Sequence, residues 1–327
     1  VIELYIVKPN YMLQIPTETI TWSGQRYSAS RKVEANILYK HVGYDILSEI
    51  QEGNTVLFKW KGTELFRGTI FNRNITKSGK LTFTAYDMLQ YLLLNKDVYV
   101  FSKKRADQIL LQLCKDFKIP YASITNTKYV FKSLVFDSET SLYDMVLKAL
   151  IETEKQTKKK YRVYSRLGKI YLQEWPNPTS QWVLETGVNI EDFTYSTSIE
   201  EVATRVKLES GEDKKTTKVV VSDQDGIKRY GVLQYYEKVT DNLNKAQLTQ
   251  RANNLLSKKK SPKKRLSIDG LGITDLTSGM PVYVYIPDAK LRGTYFIDTD
   301  THTFTGKSNR MSLDLITDNS LPEDVVL

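Results

Sequence analysis

Five short runs fill the first ninety residues: IELYIV, RKVEANILY, NTVLFKW, ELFRGTIF and KLTFTAYD. Each has the length and the β-branched and aromatic character of a single strand. Turn-forming residues separate them at Lys8-Pro9-Asn10, Glu52-Gly53-Asn54, Lys61-Gly62 and Lys77-Ser78-Gly79-Lys80. A chain punctuated this often cannot build long helices here. It predicts an antiparallel barrel or sandwich.

The apolar period then changes. MLQYLLL predicts a short helix, and KKRADQILLQLCKDF carries Ala106, Ile109, Leu110, Leu113, Cys114 and Phe117 at helical spacing, with Ser102 available as a cap and Pro120 just beyond the end. A second amphipathic helix is expected from Leu142 to Thr157, capped by Thr140 or Ser141. YRVYSRLGKIYLQEW reads as a hairpin turning at Leu167-Gly168-Lys169. From Gly187 strand signals return, with Asp225-Gly226 read as a hairpin turn. One helix, LNKAQLTQRANNLLSKKK, interrupts them, capped by Asp241 or Asn242 and ended by Pro262. The expected fold is mainly β with an α+β insert: residues 1–96 a first β-barrel, 97–186 an α+β domain, and 187–327 a second β-barrel with an inserted helix at about 241–259.

The two β regions share a pattern. EGNTVLFKWKGTELFRGTIF and SGMPVYVYIPDAKLRGTYF each run from a glycine through a strand and a turn to an Arg-Gly-Thr strand, and a closing strand follows each (LTFTAYD, RMSLDLI). A shared tripeptide is weak evidence alone; the agreement in order and turn position predicts two related barrels rather than unrelated hairpins. Arg67 and Arg292 would then project from similar points, with Gly68 and Gly293 permitting a bulge or tight bend beside them.

Several chemistries find little support. One cysteine, Cys114, allows no intramolecular disulfide and sits on the apolar face of a helix as a core thiol. Two histidines, His41 and His302, make a Cys/His zinc site hard to assemble, and no metal or cofactor is expected. Asp298, Asp300 and His302 alternate along IDTDTHTF, which is either an acid–base or metal row or an ordinary solvent-facing strand. No nucleophile elbow or phosphate loop is present, and SDQDG lacks the rest of a calcium loop. No apolar run approaches the roughly 20 residues needed to span a bilayer, so no membrane is expected. The formal charge of +9 is concentrated in TKKKYR and SKKKSPKKR, which are either solvated helix ends and loops or a phosphate-binding track.

EGNTVLFKWKGTELFRGTIF, its LTFTAYDMLQYLLLNKDVYVF continuation, the ADQILLQLCKDF and SLYDMVLKAL helices and DGIKRYGVLQYYEKV together resemble the XkdQ/YqbQ-type baseplate hub proteins of contractile phage tails and tail-like particles, over nearly the whole chain. More distantly they are similar to contractile-phage hubs and the body of the VgrG spike. The resemblance implies a non-enzymatic homotrimer. Two barrels per subunit would make a pseudo-sixfold ring joining a hexameric tail tube, or its initiator, to a trimeric central spike, with baseplate wedge proteins around it. Assembly in bacterial cytoplasm into a phage, bacteriocin or defective-prophage baseplate follows, with nucleic acid only as passing cargo. Arg67, Gly68, Arg292 and Gly293 become interface candidates. The alternatives are a basic nucleic-acid-binding protein or a tail-associated cell-wall hydrolase.

Overall fold

The alternating runs do become strands, and the computed structural model describes residues 1–27, 30–39, 46–175, 182–211, 216–239 and 243–317. His41 and the cap candidates Asp241 and Asn242 lie outside these residues. In chain order the first β region holds β1 (Ile2–Val7), β2 (Met12–Gln14), β3 (Thr19–Gln25), β4 (Lys32–Leu38), α1 (Ile46–Glu49), β5 (Thr55–Trp60), β6 (Thr63–Ile75) and β7 (Lys80–Tyr86). There follow α2 (Leu89–Leu94), β8 (Lys96–Lys104), α3 (Ala106–Asp116), β9 (Tyr121–Ile124), β10 (Phe131–Ser141), α4 (Leu142–Thr157), β11 (Lys160–Arg166), β12 (Lys169–Trp175) and β13 (Trp182–Glu185). The remainder is β14 (Ile190–Ser198), β15 (Arg205–Ser210), β16 (Thr217–Ser222), α5 (Gln224–Tyr230), β17 (Gln234–Val239), α6 (Lys245–Lys259), β18 (Lys263–Leu271), β19 (Pro281–Ile286), β20 (Leu291–Thr305) and β21 (Ser308–Ile316). Among the described residues no helix is long and apolar enough to cross a membrane.

The chain divides into two compact units, residues 1–193 with 267–327, and residues 194–266. In the larger unit the strands follow one path, β18-β21-β20-β3-β4-β7-β6-β5-β1-β2, with β19 also beside β20 and β13 parallel to β19. The early and late β regions are thus joined through the antiparallel pair β3–β20, from Thr19↔Thr305 to Gln25↔Thr299. The path is open, so the expected pair of closed barrels is not what the pairing yields. The physical reason is the length of β20: it pairs with β19 over its first part and with β3 over its last, carrying its hydrogen bonds from one region into the other. Phe304, near its end, packs edge-on against Phe58 with ring centroids 4.9 Å apart.

Two apolar clusters of the larger unit bear on the site. One lies in the sheet and includes Leu4, Ile20, Val33, Phe58, Phe83 and Phe304. The other is built by the helical face read from the sequence, with Ile109, Leu110, Leu113 and Cys114 of α3 against Met145, Val146 and Leu150 of α4. Ser141 caps α4, accepting from the Asp144 amide at 3.0 Å. The α3 start differs from expectation: Ser102 belongs to β8, and the helix begins after Arg105, whose amide donates to the Gln108 side chain at 3.0 Å. Leu167 and Gly168 turn β11 into β12, both with positive φ (51° and 70°), which is what a two-residue hairpin of this hand requires.

In the smaller unit the order is β16-β15-β17, with β15 antiparallel to β16 and parallel to β17. Val206, Leu208 and Val219 of this sheet pack with Leu248, Ala252 and Leu256 of α6. Asp225-Gly226 is therefore no hairpin turn. It opens α5, which carries the chain between two strands that are not neighbours, and parallel pairing demands such a crossover. The α6 cap is Asn244, which accepts from Gln247 N–H while its own amide donates to the Gln247 side chain.

Candidate functional site

The two echoed hairpins can be aligned by their hydrogen bonds. At the base of β5–β6 the Gly53 amide donates to Ile70 O at 2.8 Å and the Ile70 amide to Asn54 O at 3.0 Å. At the base of β19–β20 the Gly279 amide donates to Ile297 O at 2.6 Å and the Ile297 amide to Met280 O at 3.0 Å. Each isoleucine is followed by a β-bulge against the next strand, between Ile70 and Asn72 and between Ile297 and Thr299. The repeat is real at the level of the backbone. The shared Arg-Gly-Thr tripeptide is out of register with it, because Gly68 stands two residues before Ile70 and Gly293 four before Ile297. The hairpin loops differ as well: Trp60 pairs with Thr63, whereas Ile286 pairs with Leu291.

The four candidate residues accordingly have different surroundings. Arg67 donates through Nε and Nη2 to the Glu64 carboxylate at 3.0 and 2.8 Å, and this bond raises its pKa. Its stem lies against the β11–β12 turn, where a Cβ on Gly168 would stand 3.0 Å from Arg67 Cδ. Arg292 is exposed and donates to Tyr283 Oη at 2.8 Å. Gly68 is buried, and a Cβ there would lie 2.2 Å from Tyr86 O. Gly293 has open space around it but a φ of +151°. The structure puts the two arginines on separate hairpins and gives each a partner in its own hairpin.

The alternating row on β20 is not a solvent face. The bulge at Asp298 shifts the parity of the strand, so that Asp300, His302 and Phe304 all point inward and are fully buried. Asp298 stays partly exposed and accepts from Arg26 Nε at 3.2 Å. Asp300 accepts both ends of the Arg31 guanidinium and the Ser278 amide, with Arg31 Nη1 at 2.8 Å. Arg31 also lies over the Trp22 ring at 4.1 Å. His302 is held below its ordinary pKa by burial, and as a neutral imidazole donates Nε2–H to Leu276 O at 2.9 Å. The row is an internal clasp between β20 and the segment preceding β4. Among the described residues no group of three or more His, Cys, Asp or Glu is placed to hold a metal.

Asp87, just after β7, belongs to the same neighbourhood. It accepts from the Leu89 amide at 3.0 Å and the Arg31 amide at 3.2 Å. Burial pushes its pKa up to about 7 against the pull of those bonds and of Arg31. Beside it lies a cavity of about 540 Å³, lined among others by Trp22, Arg31, Asp87, Tyr161, Arg162 and Trp175. Sequence reading missed this cavity, because its walls come from distant segments and no motif joins them. Arg162 falls in the TKKKYR run and in the first strand of the YRVYSRLGKIYLQEW hairpin, and neither pattern marks it as a cavity wall.

The other features are quieter. Burial raises the Cys114 thiol to about 12, so it remains protonated. The basic runs are partly neutralised: Lys159 meets Glu174 at 2.9 Å, Lys160 lies 3.7 Å from Glu154, and Lys263 pairs with Glu201.

A profile of the YqbQ-like family matches residues 20–316. The uncharacterised protein YqbQ of Bacillus subtilis is 52% identical over 325 residues, covering 99% of both chains. Protein XkdQ of the phage-like element PBSX of the same organism is 49% identical over the same coverage. Among solved structures, the 43 kDa tail protein of prophage MuSo2 from Shewanella oneidensis superposes with a TM-score of 0.73 at 13% identity, covering 97% of this chain and 100% of that one. An E. coli component of the type VI secretion system, described as similar to the bacteriophage T4 tail proteins gp27 and gp5, reaches 0.55 at 11% identity, covering 96% and 76%. At those identities the structural likeness speaks for the fold, while the profile and the two Bacillus relatives establish kinship: the chain belongs to the YqbQ-like family.

Proposed function

We propose that this protein is a structural part of the baseplate of a contractile, phage-like tail, acting by association rather than catalysis. In this reading it is the hub: a homotrimeric ring in which each subunit offers two hairpin systems, so that three subunits present six similar faces. Such a ring can sit between a hexameric tail tube, or its initiator, and a trimeric spike, with wedge proteins at its rim. The observation that carries the proposal is the backbone repeat of Gly53–Ile70 and Gly279–Ile297, each with its bulge, in a chain whose relatives include a protein of a phage-like element. A ring with threefold operators gains approximate sixfold order only if each subunit supplies the interacting element twice. The glutamate partners of Lys159, Lys160 and Lys263 favour this reading over a nucleic-acid track, since paired lysines release fewer counterions on phosphate.

Light scattering coupled to size exclusion, with imaging of the particle along its axis, tests the proposal. A threefold mass and a ring with six similar densities are expected. A monomer in solution together with a particle lacking a threefold axis at this protein overturns it.

A further inference from the structure

Buried side-chain donors without an acceptor among the described residues gather at one place. Trp22 Nε1, Arg31 Nε, Arg162 Nε, Ser165 Oγ and Trp175 Nε1 are all of this kind, and all five residues line the 540 Å³ cavity of the larger unit. Buried donors left unpaired are costly, so their concentration around one space calls for an acceptor there. Apart from the exposed Asp275, the carboxylates lining or bordering the cavity are already engaged. Asp300 holds the Arg31 fork, Glu64 holds Arg67, and Asp87 accepts two backbone amides.

Arg162 decides the sign of the missing group. It is mostly buried on β11, and its Nη1 has only the Met280 sulfur, a weak acceptor at 3.7 Å. Its guanidinium lies over the Tyr164 ring at 4.8 Å, and no carboxylate among the described residues pairs with it. An arginine desolvated without a counter-charge is unfavourable, and a planar anion meeting its fork relieves that cost. Trp22, Trp175, Tyr161 and Tyr164 line the same space, so the remainder of a ligand would lie against aromatic walls. The volume is within the range of small-molecule sites, about 300–1,000 Å³. Asp87 and Asp275 among the walls disfavour a multiply charged anion such as phosphate, whereas a single negative charge balances Arg162, which unlike the exposed Arg166 of the same lining is mostly buried.

We propose that the cavity walled by Trp22, Trp175 and Arg162 is a binding site for a carboxylate carried on an apolar or aromatic body, with Arg162 receiving the carboxylate. The carboxylate comes either from a free organic acid or from an acidic residue beside an aromatic one on another protein chain. The site is independent of the assembly reading above, because it depends on the interior of one subunit.

The probe is 2-naphthoate, compared with its uncharged counterpart 2-naphthamide, titrated into the full chain. Calorimetry and the fluorescence of Trp22 and Trp175 report binding. The acid is expected to bind at least about tenfold more tightly than the amide, the usual scale for one charge-assisted contact. Arg162→Gln should abolish that preference while the far-UV spectrum is retained. If Arg162→Gln does not fold, Arg162→Lys, which keeps the charge but loses the fork, should still weaken the acid several-fold more than the amide. Equal binding of acid and amide, no binding of either at millimolar concentration, or an unchanged preference in the folded variant overturns the proposal. The peptide acetyl-Phe-Glu-amide separates the sources: binding tighter than naphthoate assigns the carboxylate to a protein segment, and weaker binding assigns it to a free acid.

Discussion

The hairpins β5–β6 and β19–β20 share a backbone plan and use it with different chemistry. Both close on a glycine amide and an isoleucine, and both bulge one residue later. Three residues beyond the isoleucine the first hairpin has Arg73, which donates to the carbonyls of Leu47 and Ile50 at 2.9 and 2.7 Å. The corresponding residue of the second is Asp300, which receives Arg31. One position ties its strand to a neighbouring turn, the other ties the late chain to the early chain. Backbone register can therefore be repeated while the side chains that exploit it diverge, and equivalent positions must be assigned by hydrogen bonds rather than by identical letters.

The comparison can be broken by substitution, and the largest effect is expected at its most asymmetric point. Asp300→Ala leaves Arg31 buried without its carboxylate and should cost about 3–5 kcal/mol in chemical denaturation. Arg73→Ala, at the equivalent position, should cost about half as much, since it removes bonds to two carbonyls that solvent can partly replace. Equal losses would mean that the two positions are not used differently.

The next effect is a pH dependence contributed by Asp87 of the first region, opposite in sign to that of the buried His302 of the second. Asp87 is raised to about 7, far above an unfolded aspartate near 3.9, so the folded state binds the extra proton between those values. The resulting stability is fully present below about pH 4 and is lost as pH rises through 7, by about 1.4 kcal/mol per pH unit where the slope is full. Denaturation at pH 5 and pH 7.5 should show that loss in the parent and a flatter profile in Asp87→Asn. A parent and variant with the same slope would remove Asp87 from the account.

A smaller effect separates the glycines. Gly68→Ala must push a methyl into Tyr86 O and the Phe66 ring and should cost about 2–3 kcal/mol. Gly293→Ala meets no neighbour and carries only its backbone penalty, about 1 kcal/mol. Thermal melts that reverse this order would show that the register alignment is wrong. Smallest for the isolated fold should be Arg67→Glu with Arg292→Glu, since both arginines keep substantial contact with water. If these residues serve the interface, the double variant should nonetheless lower the trimer fraction in light scattering. Unchanged association would discard them.

Much of the local structure was legible. The apolar spacing of Ile109, Leu110, Leu113 and Cys114 specified the buried face of α3, and the cap candidates Thr140 and Ser141 bracketed the start of α4, where Ser141 serves. The Lys61-Gly62 and Leu167-Gly168 turns were readable because left-handed backbone suits few residue types. The errors were of another kind. Asp225-Gly226 looked like a turn between two apolar runs, but whether such a pair closes a hairpin or opens a helix depends on where the next strand must go. Asp300 and His302 read either as an acid–base or metal row or as a solvent-facing strand, yet a bulge at Asp298 and a cover of Trp22, Arg31 and Leu276 placed them inside.

By itself the amino-acid order determined many of the strands, several turn positions, the buried faces of α3 and α4 and, through its likeness to a family, the mainly β class with an α+β insert. These depend on neighbours within a few residues, where sterics and apolar periodicity act directly. Only the tertiary structure decided that β3 and β20 would pair, that the late chain would run into the early sheet, and that Arg162 would border a cavity without a counter-charge. Those outcomes bring together residues more than a hundred positions apart. Their energies come from burial and from which groups remain to satisfy one another, and no local pattern records either.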